Sequence, residues 1–206
     1  LREKTEHEAF WEGSFGDAYT QRNAGDPAAR SAGFQKILSR TNGVRSICEF
    51  GANRGLNLRT LHALDPSLAL SGIEINGSAI EELRRDASYV TVYPSAIQDF
   101  TPSEQFDVTF TSGVLIHVNP TDLPTAYERL YTASRRYVLI MEYFNPVPVE
   151  LAYRGETGRL FKRDFAGEFL DHIGTGAVHV VDYGFFWRRV DPGWDDITWV
   201  LFERTR

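Results

Sequence analysis

The chain has 206 residues and 42% hydrophobic content, enough to fill one core and short for two. A net charge of −6 without a long basic run argues against a nucleic-acid partner, and no apolar stretch approaches the ~20 residues of a membrane helix. A single cysteine, Cys48, excludes an intramolecular disulfide or a multi-cysteine metal site. The charged start "LREKTEHEAFWEG" has no apolar core of signal type, so a soluble cytoplasmic protein is the expectation.

Along the chain, apolar runs alternate with amphipathic ones. The stretch 28–40 predicts a helix that stops at "TNG". "SICEF" (46–50) predicts a short buried strand, and 55–64 a helix with Leu56, Leu58, Leu61 and Leu64 on one face. Strands follow at 68–75, 89–93, 106–116 and 136–144, separated by helices at 77–87 and 120–134, the latter with Asp122 as its cap. An irregular stretch at 145–165 precedes a helix within 162–172. Two β-rich runs, 177–189 and 196–205, are joined only by the turn-rich "VDPGWDD" and should form a hairpin. The outline is α/β: a doubly wound, seven-stranded, mostly parallel sheet with a C-terminal antiparallel hairpin, in one domain over 1–206.

The turn after the first strand, "EFGANRG", lies where open α/β sheets bind ligands. A dinucleotide fingerprint needs glycines at 53 and 56; this chain has Asn53 and Leu56, which disfavours a nicotinamide-dependent oxidoreductase. Glu49, two residues before Gly51, repels a pyrophosphate and attracts an ammonium group. Glu74 closes the second strand, where a carboxylate can accept the hydroxyls of a ribose. One end of the ligand is therefore cationic and the other a nucleoside, as in S-adenosylmethionine.

"EFGANRGLNL", "GIEIN", "FDVTFTSGVLIHV" and "RYVLIMEYF" resemble the successive motifs of class I S-adenosylmethionine-dependent methyltransferases, a likeness spanning about 46–205. "FGDAYTQRN", "GVLIHVNP", "EYFNPVPVELAYRG", "FKRDF" and "DDITW" resemble more closely the methyltransferases associated with pseudaminic acid biosynthesis. The resemblance implies Glu49, Gly51, Asn53 and Gly55 around the methionine part of the cofactor and Glu74 on the ribose. It implies Ile75, Ser95, Ala96 and Ile97 around the adenine, and Thr111, Ser112 and Gly113 beneath the sulfonium. A non-catalytic member of the same fold, binding cofactor or partner without turnover, is the alternative.

The aromatic and charged stretch 10–23 reads as part of a lid over residues 1–25, with Tyr19, Arg22 and Asn23 facing the methionine carboxylate. His117, just beyond the fourth strand, is the candidate base, with Glu142 and Tyr143 behind it. The stretch 145–165 reads as an acceptor-side loop. Its Arg154, Arg159, Lys162 and Arg163 give a local cationic excess in an acidic chain. That excess suggests a small anionic acceptor, with Arg154, Lys162 and Tyr143 as binding residues and O or N as the methylated atom.

Overall fold

The alternation of apolar and amphipathic runs becomes two helical layers on one sheet. A computed structural model describes residues 3–22 and 25–205. It contains β1 (Ser46–Phe50), β2 (Ala69–Glu74), β3 (Val90–Pro94), β4 (Phe106–Ser112) and β5 (Ser134–Glu142), all parallel. The full sheet order is β3-β2-β1-β4-β5-β9-β8, completed by β8 (Val178–Phe186) and β9 (Ile197–Arg204). β9 inserts antiparallel between β5 and β8. With only a turn between the last two strands there is no helix to carry the chain back, so β8 and β9 pair as a hairpin.

The strands' period of two splits the core. On one face, Ile47 and Trp199 pack with Phe34 and Ile37 of α3 (Ser31–Leu38), Leu58 and Leu61 of α4 (Leu56–Leu64) and Leu83 of α5 (Gly77–Asp86). On the other, Cys48, Phe50 and Phe202 pack with Leu130 of α6 (Leu123–Ala133) and Phe169 of α7 (Phe165–Ile173). Each large side chain so buried contributes about 1.5–3 kcal/mol. Cys48 is a free thiol sealed in this core, and burial pushes its pKa well up.

Three expectations are corrected. Residues 145–165 are not irregular: β6 (Val149–Tyr153) and β7 (Glu156–Lys162) form a separate antiparallel hairpin. Its tip is Arg154–Gly155, at φ 52° and 89°, the two positive values that a tight two-residue hairpin turn requires. The β4 strand ends at Ser112, and 115–117 form a 3-10 turn instead of continuing the strand. Asp122 makes no side-chain cap; Asn119 accepts from the Thr121 N–H instead. The amino-terminal stretch forms α1 (Glu6–Glu12) and α2 (Ser14–Arg22), with Thr5 and Glu8 closing a capping box on α1.

Candidate functional site

Sheet order reverses between β1 and β4, and the crevice there opens into a cavity of about 620 Å³, within the usual range for a small-molecule site. The turn after β1 shapes its floor. Gly51, Asn53 and Gly55 all have positive φ (78°, 47° and 77°), and asparagine is among the few non-glycine residues that tolerate this region. Asn53 donates its backbone N–H to Glu74 Oε2 at 2.7 Å and turns its side chain upward, Nδ2 donating to Thr20 Oγ1 of α2 at 3.1 Å.

The two acids at the strand ends differ. Glu74 is buried, and both its oxygens are engaged by backbone: Oε1 accepts from Ile75 and Asn76 N–H, Oε2 from Asn53 N–H. Of about four acceptor positions on a carboxylate, one remains, on Oε2. Burial raises its pKa against those three bonds. Among the described residues, Glu49, 2% exposed, receives one hydrogen bond, from Asn57 Nδ2 to Oε1 at 2.6 Å, and its buried Oε2 has no donor. Desolvation pushes Glu49 up to about 8, against the lowering effects of Asn57 and Arg30.

Arg30 is a site residue that the sequence reading missed. It lines the cavity, donates from Nη1 to Asn57 Oδ1 at 2.5 Å and from Nε to Gly193 O at 3.0 Å, and lies 4.9 Å over the Trp194 ring. Burial lowers its pKa, while Glu49 and Asp195 raise it. Nothing local marks such a residue, because its partners come from α4 and from the turn before β9.

Ile75, Ser95, Ala96 and Ile97 line the next part of the cavity, and Ser112 and Gly113 the edge beyond β4. The Ser95 hydroxyl is occupied by the Ala96 carbonyl at 2.9 Å. Two expected residues stand outside. Thr111 is fully buried within β4. Gly55 caps α4, and a Cβ there would lie 2.2 Å from Leu83 Cδ1; it is glycine so that α4 can start against α5.

Two elements roof the cavity. Asn76, at the start of α5, donates from Nδ2 to Trp11 O, Glu12 O and Asp17 Oδ1, and Ser78 Oγ donates to the same Asp17 atom at 2.7 Å. These bonds dock α1 and α2. Tyr19 then projects into the cavity, its hydroxyl without a hydrogen-bond partner among the described residues; burial pushes it up to about 12. Arg22 reaches the cavity edge from the last turn of α2, exposed to solvent. Asn23 lies outside the described residues.

The β6–β7 hairpin supplies the second half of the roof. Alternation along β7 sends Arg159 and Phe161 toward α1, and Leu160 and Lys162 toward the cavity. Arg159 pairs with Glu6 and stacks 4.5 Å over Phe10, and His7 Nε2 meets Gly158 O at 2.6 Å. Arg159 and Arg163, which pairs with Glu168, are thus neutralised. Lys162 and Arg154 have no carboxylate partner among the described residues; Lys162 lies 5.0 Å over the Tyr143 ring and Arg154 sits exposed at the hairpin tip.

His117 lies between Trp11 and Tyr153, ring centroids 4.4 and 5.1 Å away. The Arg159 carbonyl at 2.8 Å from Nδ1 fixes the tautomer: Nδ1–H donates and Nε2 keeps a lone pair. Burial lowers its pKa to about 4, against the raising effect of that carbonyl. An unperturbed imidazole titrates near 6.5, so this environment makes His117 a weaker base than a free histidine. Tyr143 donates its hydroxyl to Asp195, a second acid at this end that the sequence reading missed, and its pKa is raised by burial and by Asp195. Glu142 does not line the cavity. Its carboxylate accepts the N–H groups of Val114, Leu115 and Ile116 and so holds the turn that carries His117.

No known protein-family profile and no curated protein sequence matches the chain. Solved structures do. One is a 1,6-didemethyltoxoflavin-N1-methyltransferase from Burkholderia thailandensis, TM-score 0.73 at 15% identity, over 100% of this chain and 93% of that one. Another is the sugar N-methyltransferase KedS8 from Streptoalloteichus sp ATCC 53650, TM-score 0.69 at 13% identity, over 100% and 96%. A third is the glycopeptide N-methyltransferase MtfA with S-adenosylhomocysteine bound, TM-score 0.67 at 12% identity, over 94% and 99%. The chain has the Rossmann-like fold of these methyltransferases.

Proposed function

We propose that the chain is an S-adenosylmethionine-dependent methyltransferase acting on O or N of a small, anionic metabolite. The observation that carries this reading is the buried Glu49 Oε2, left without a donor among the described residues at the mouth of a glycine turn. A carboxylate so placed needs a cationic ligand, and the cofactor's amino group is one. Arg30, a half-buried cation bonded to the same Asn57, suits the neighbouring carboxylate better than the exposed Arg22 does. Glu74 has one position free for a ribose hydroxyl, and Ile75, Ala96 and Ile97 offer apolar contact to a base.

The bound cofactor would supply a methyl group already activated on a sulfonium. The chain's own residues then orient the acceptor and exclude water. The α1–α2 lid and the β6–β7 hairpin meet over the cavity and do the latter. Lys162 and Arg154 would hold the anionic group, and His117 Nε2 would accept a hydrogen bond from the reacting group. The narrower likeness to pseudaminic acid-associated methyltransferases rests on sequence motifs alone. The sugar, glycopeptide and toxoflavin activities of the structural neighbours support a small-molecule acceptor.

Titration calorimetry with S-adenosylhomocysteine and, separately, NAD tests the cofactor assignment. Binding of the first alone is expected. Binding of NAD alone would overturn the assignment, and cofactor binding without methylated product across a broad acceptor panel would favour the non-catalytic alternative.

A further inference from the structure

Resting on the methyl-transfer reading, we infer that the acceptor is amphipathic. An apolar body, alkyl or aryl, lies along the cavity face of the β6–β7 hairpin, and its carboxylate or phosphate sits at Lys162. The juxtaposition is of an unpaired cation and an uncovered apolar strip on one face of one hairpin.

The register defines that strip. Leu151 stands opposite Leu160 across the hairpin, and Val149 opposite Lys162. Cross-strand partners share a face with their Cβ atoms about 5 Å apart, and residues two apart on a strand share it at about 7 Å. Leu151, Leu160 and Lys162 line the cavity, so Val149 belongs to the same face. The four side chains form one patch, three apolar and one cationic. Leu160 and Tyr143 pack on the same core cluster, and Lys162 Nζ lies 5.0 Å from the Tyr143 ring centroid.

The two faces of the hairpin are finished differently. On the far face Phe161 is buried and stacks on His7 of α1, and Arg159 pairs with Glu6. On the cavity face Leu151 is 41% exposed and Val149 36%. A molecule in the cavity meets this face directly, because Leu151 and Leu160 are part of the cavity wall. That continuity, together with the charge, selects the occupant. A wholly polar anion would pair Lys162 and leave Leu151 and Val149 wet. A neutral apolar molecule would cover the strip and leave Lys162 without a counter-charge. A molecule with both parts satisfies both, and each methylene that leaves water for the strip strengthens binding by up to about fourfold. Two unlike ends on one wall also give the acceptor a single orientation, which in-line transfer requires.

The test uses the full chain saturated with S-adenosylhomocysteine. Straight-chain carboxylates from butanoate to octanoate, and the matching 1-alkanols, are titrated by ligand-observed NMR. Calorimetry establishes first that S-adenosylhomocysteine binds; no binding overturns the methyl-transfer reading itself, whereas the outcomes below bear on the acceptor alone. Affinity should rise about two- to fourfold for each added methylene, and octanoate should bind more tightly than 1-octanol. Leu151→Thr and Val149→Thr keep strand propensity and should flatten the rise. Lys162→Met should abolish the advantage of the carboxylate and keep the rise. S-adenosylhomocysteine affinity should be unchanged in all three. An affinity independent of chain length, or a rise that survives both strip variants, overturns the inference. So does a dimer in sedimentation that Leu151→Thr dissociates, because the strip would then be covered by a second copy of the chain.

Discussion

The strands β1 and β2 each carry a glutamate at the carboxyl end, Glu49 one residue before the end of β1 and Glu74 as the last residue of β2, yet the two are held in opposite ways. Glu74 spends three acceptor positions on the backbone of the turns beside it. Among the described residues, Glu49 has a single side-chain donor and one buried oxygen with none. A buried carboxylate with three of its four acceptor positions filled by its own chain is part of the frame. One left half-satisfied is destabilising until something else arrives. The largest expected effect therefore belongs to Glu74. Removing it strands three N–H groups, at about 1–3 kcal/mol for each that stays buried and unpaired. Glu74→Ala should lose about 3 kcal/mol or more of stability, a fall in Tm on the order of 10 °C for a chain of this length. Calorimetric unfolding within a degree or two of wild type would erase the contrast.

Glu49 should behave the other way. Glu49→Gln keeps the shape and removes the charge, so S-adenosylhomocysteine affinity should drop by roughly 1.5–3 kcal/mol, the scale of a charged hydrogen bond, with Tm unchanged or higher. The pH dependence sharpens this. A folded pKa of about 8, above the unfolded value near 4.3, means that the fold favours the protonated acid. Its contribution is full below about pH 4.3 and is lost as pH rises through about 8. Glu142, pushed up to about 7 by burial, adds to the same slope, so the informative quantity is wild type minus Glu49→Gln. If an ammonium group ionises Glu49, binding near pH 6.5 should release about one proton, measurable by calorimetry in buffers of different ionisation enthalpy. Equal proton release by Glu49→Gln would show that another group titrates.

The strands and helices that carry these acids were legible because a doubly covered sheet writes long apolar runs into the chain. The glycine turn and its two acids were legible because they are contiguous with those runs. The hairpin at 145–165 was not. β6 is mostly exposed, the prolines before it (Pro146, Pro148) and the glycines after it (Gly155, Gly158) resemble loop punctuation, and the Arg154–Gly155 turn lacks the usual asparagine or aspartate. Arg30, Asn76 and Asp195 were missed for a different reason. Each acts through partners far along the chain (Gly193 and Asn57, Trp11 and Asp17, Tyr143), and only the fold makes those neighbours. Gly55 and Thr111 were assigned by position in a motif, which does not distinguish residues that face a ligand from those that face the core.

His117 extends the contrast to the acceptor side, where an imidazole is held neutral. His117→Ala should lower turnover about tenfold and leave S-adenosylhomocysteine affinity alone. Wild-type activity should show no histidine break near 6.5; the acid limb due to His117 should lie near its lowered pKa of about 4, with activity lost below it. A break near 6.5 that vanishes in the variant would mean that the ring is solvated in the working enzyme. Asp17 is the next step down. Asp17→Ala removes the docking of α2 on Asn76 and Ser78, so amide exchange in 6–22 should quicken and S-adenosylhomocysteine affinity fall roughly three- to tenfold. Bound S-adenosylhomocysteine should slow exchange there in wild type, and identical protection with and without it would reduce the lid to a fixed structural pair of helices.

Arg154 should give the smallest effect, because its charge is solvated and its conformation is constrained. It sits exposed at the hairpin tip with φ 52°, a region that costs most side chains about 1 kcal/mol and asparagine less. Arginine already bears that cost, so Arg154→Ala removes the guanidinium at nearly unchanged backbone strain. Arg154→Asn is the control in which the charge is lost and the turn is eased. If that charge assists an anionic acceptor from the rim, the acceptor KM should rise about threefold or less, as expected for an exposed ion pair, and the rise should shrink at high salt. Cofactor affinity should not move, since the tip serves the acceptor end. A salt-insensitive rise would instead mean that Arg154 acts by shaping the hairpin, and Lys162, nearer Tyr143 and less exposed, would be left as the cation that reads the acceptor.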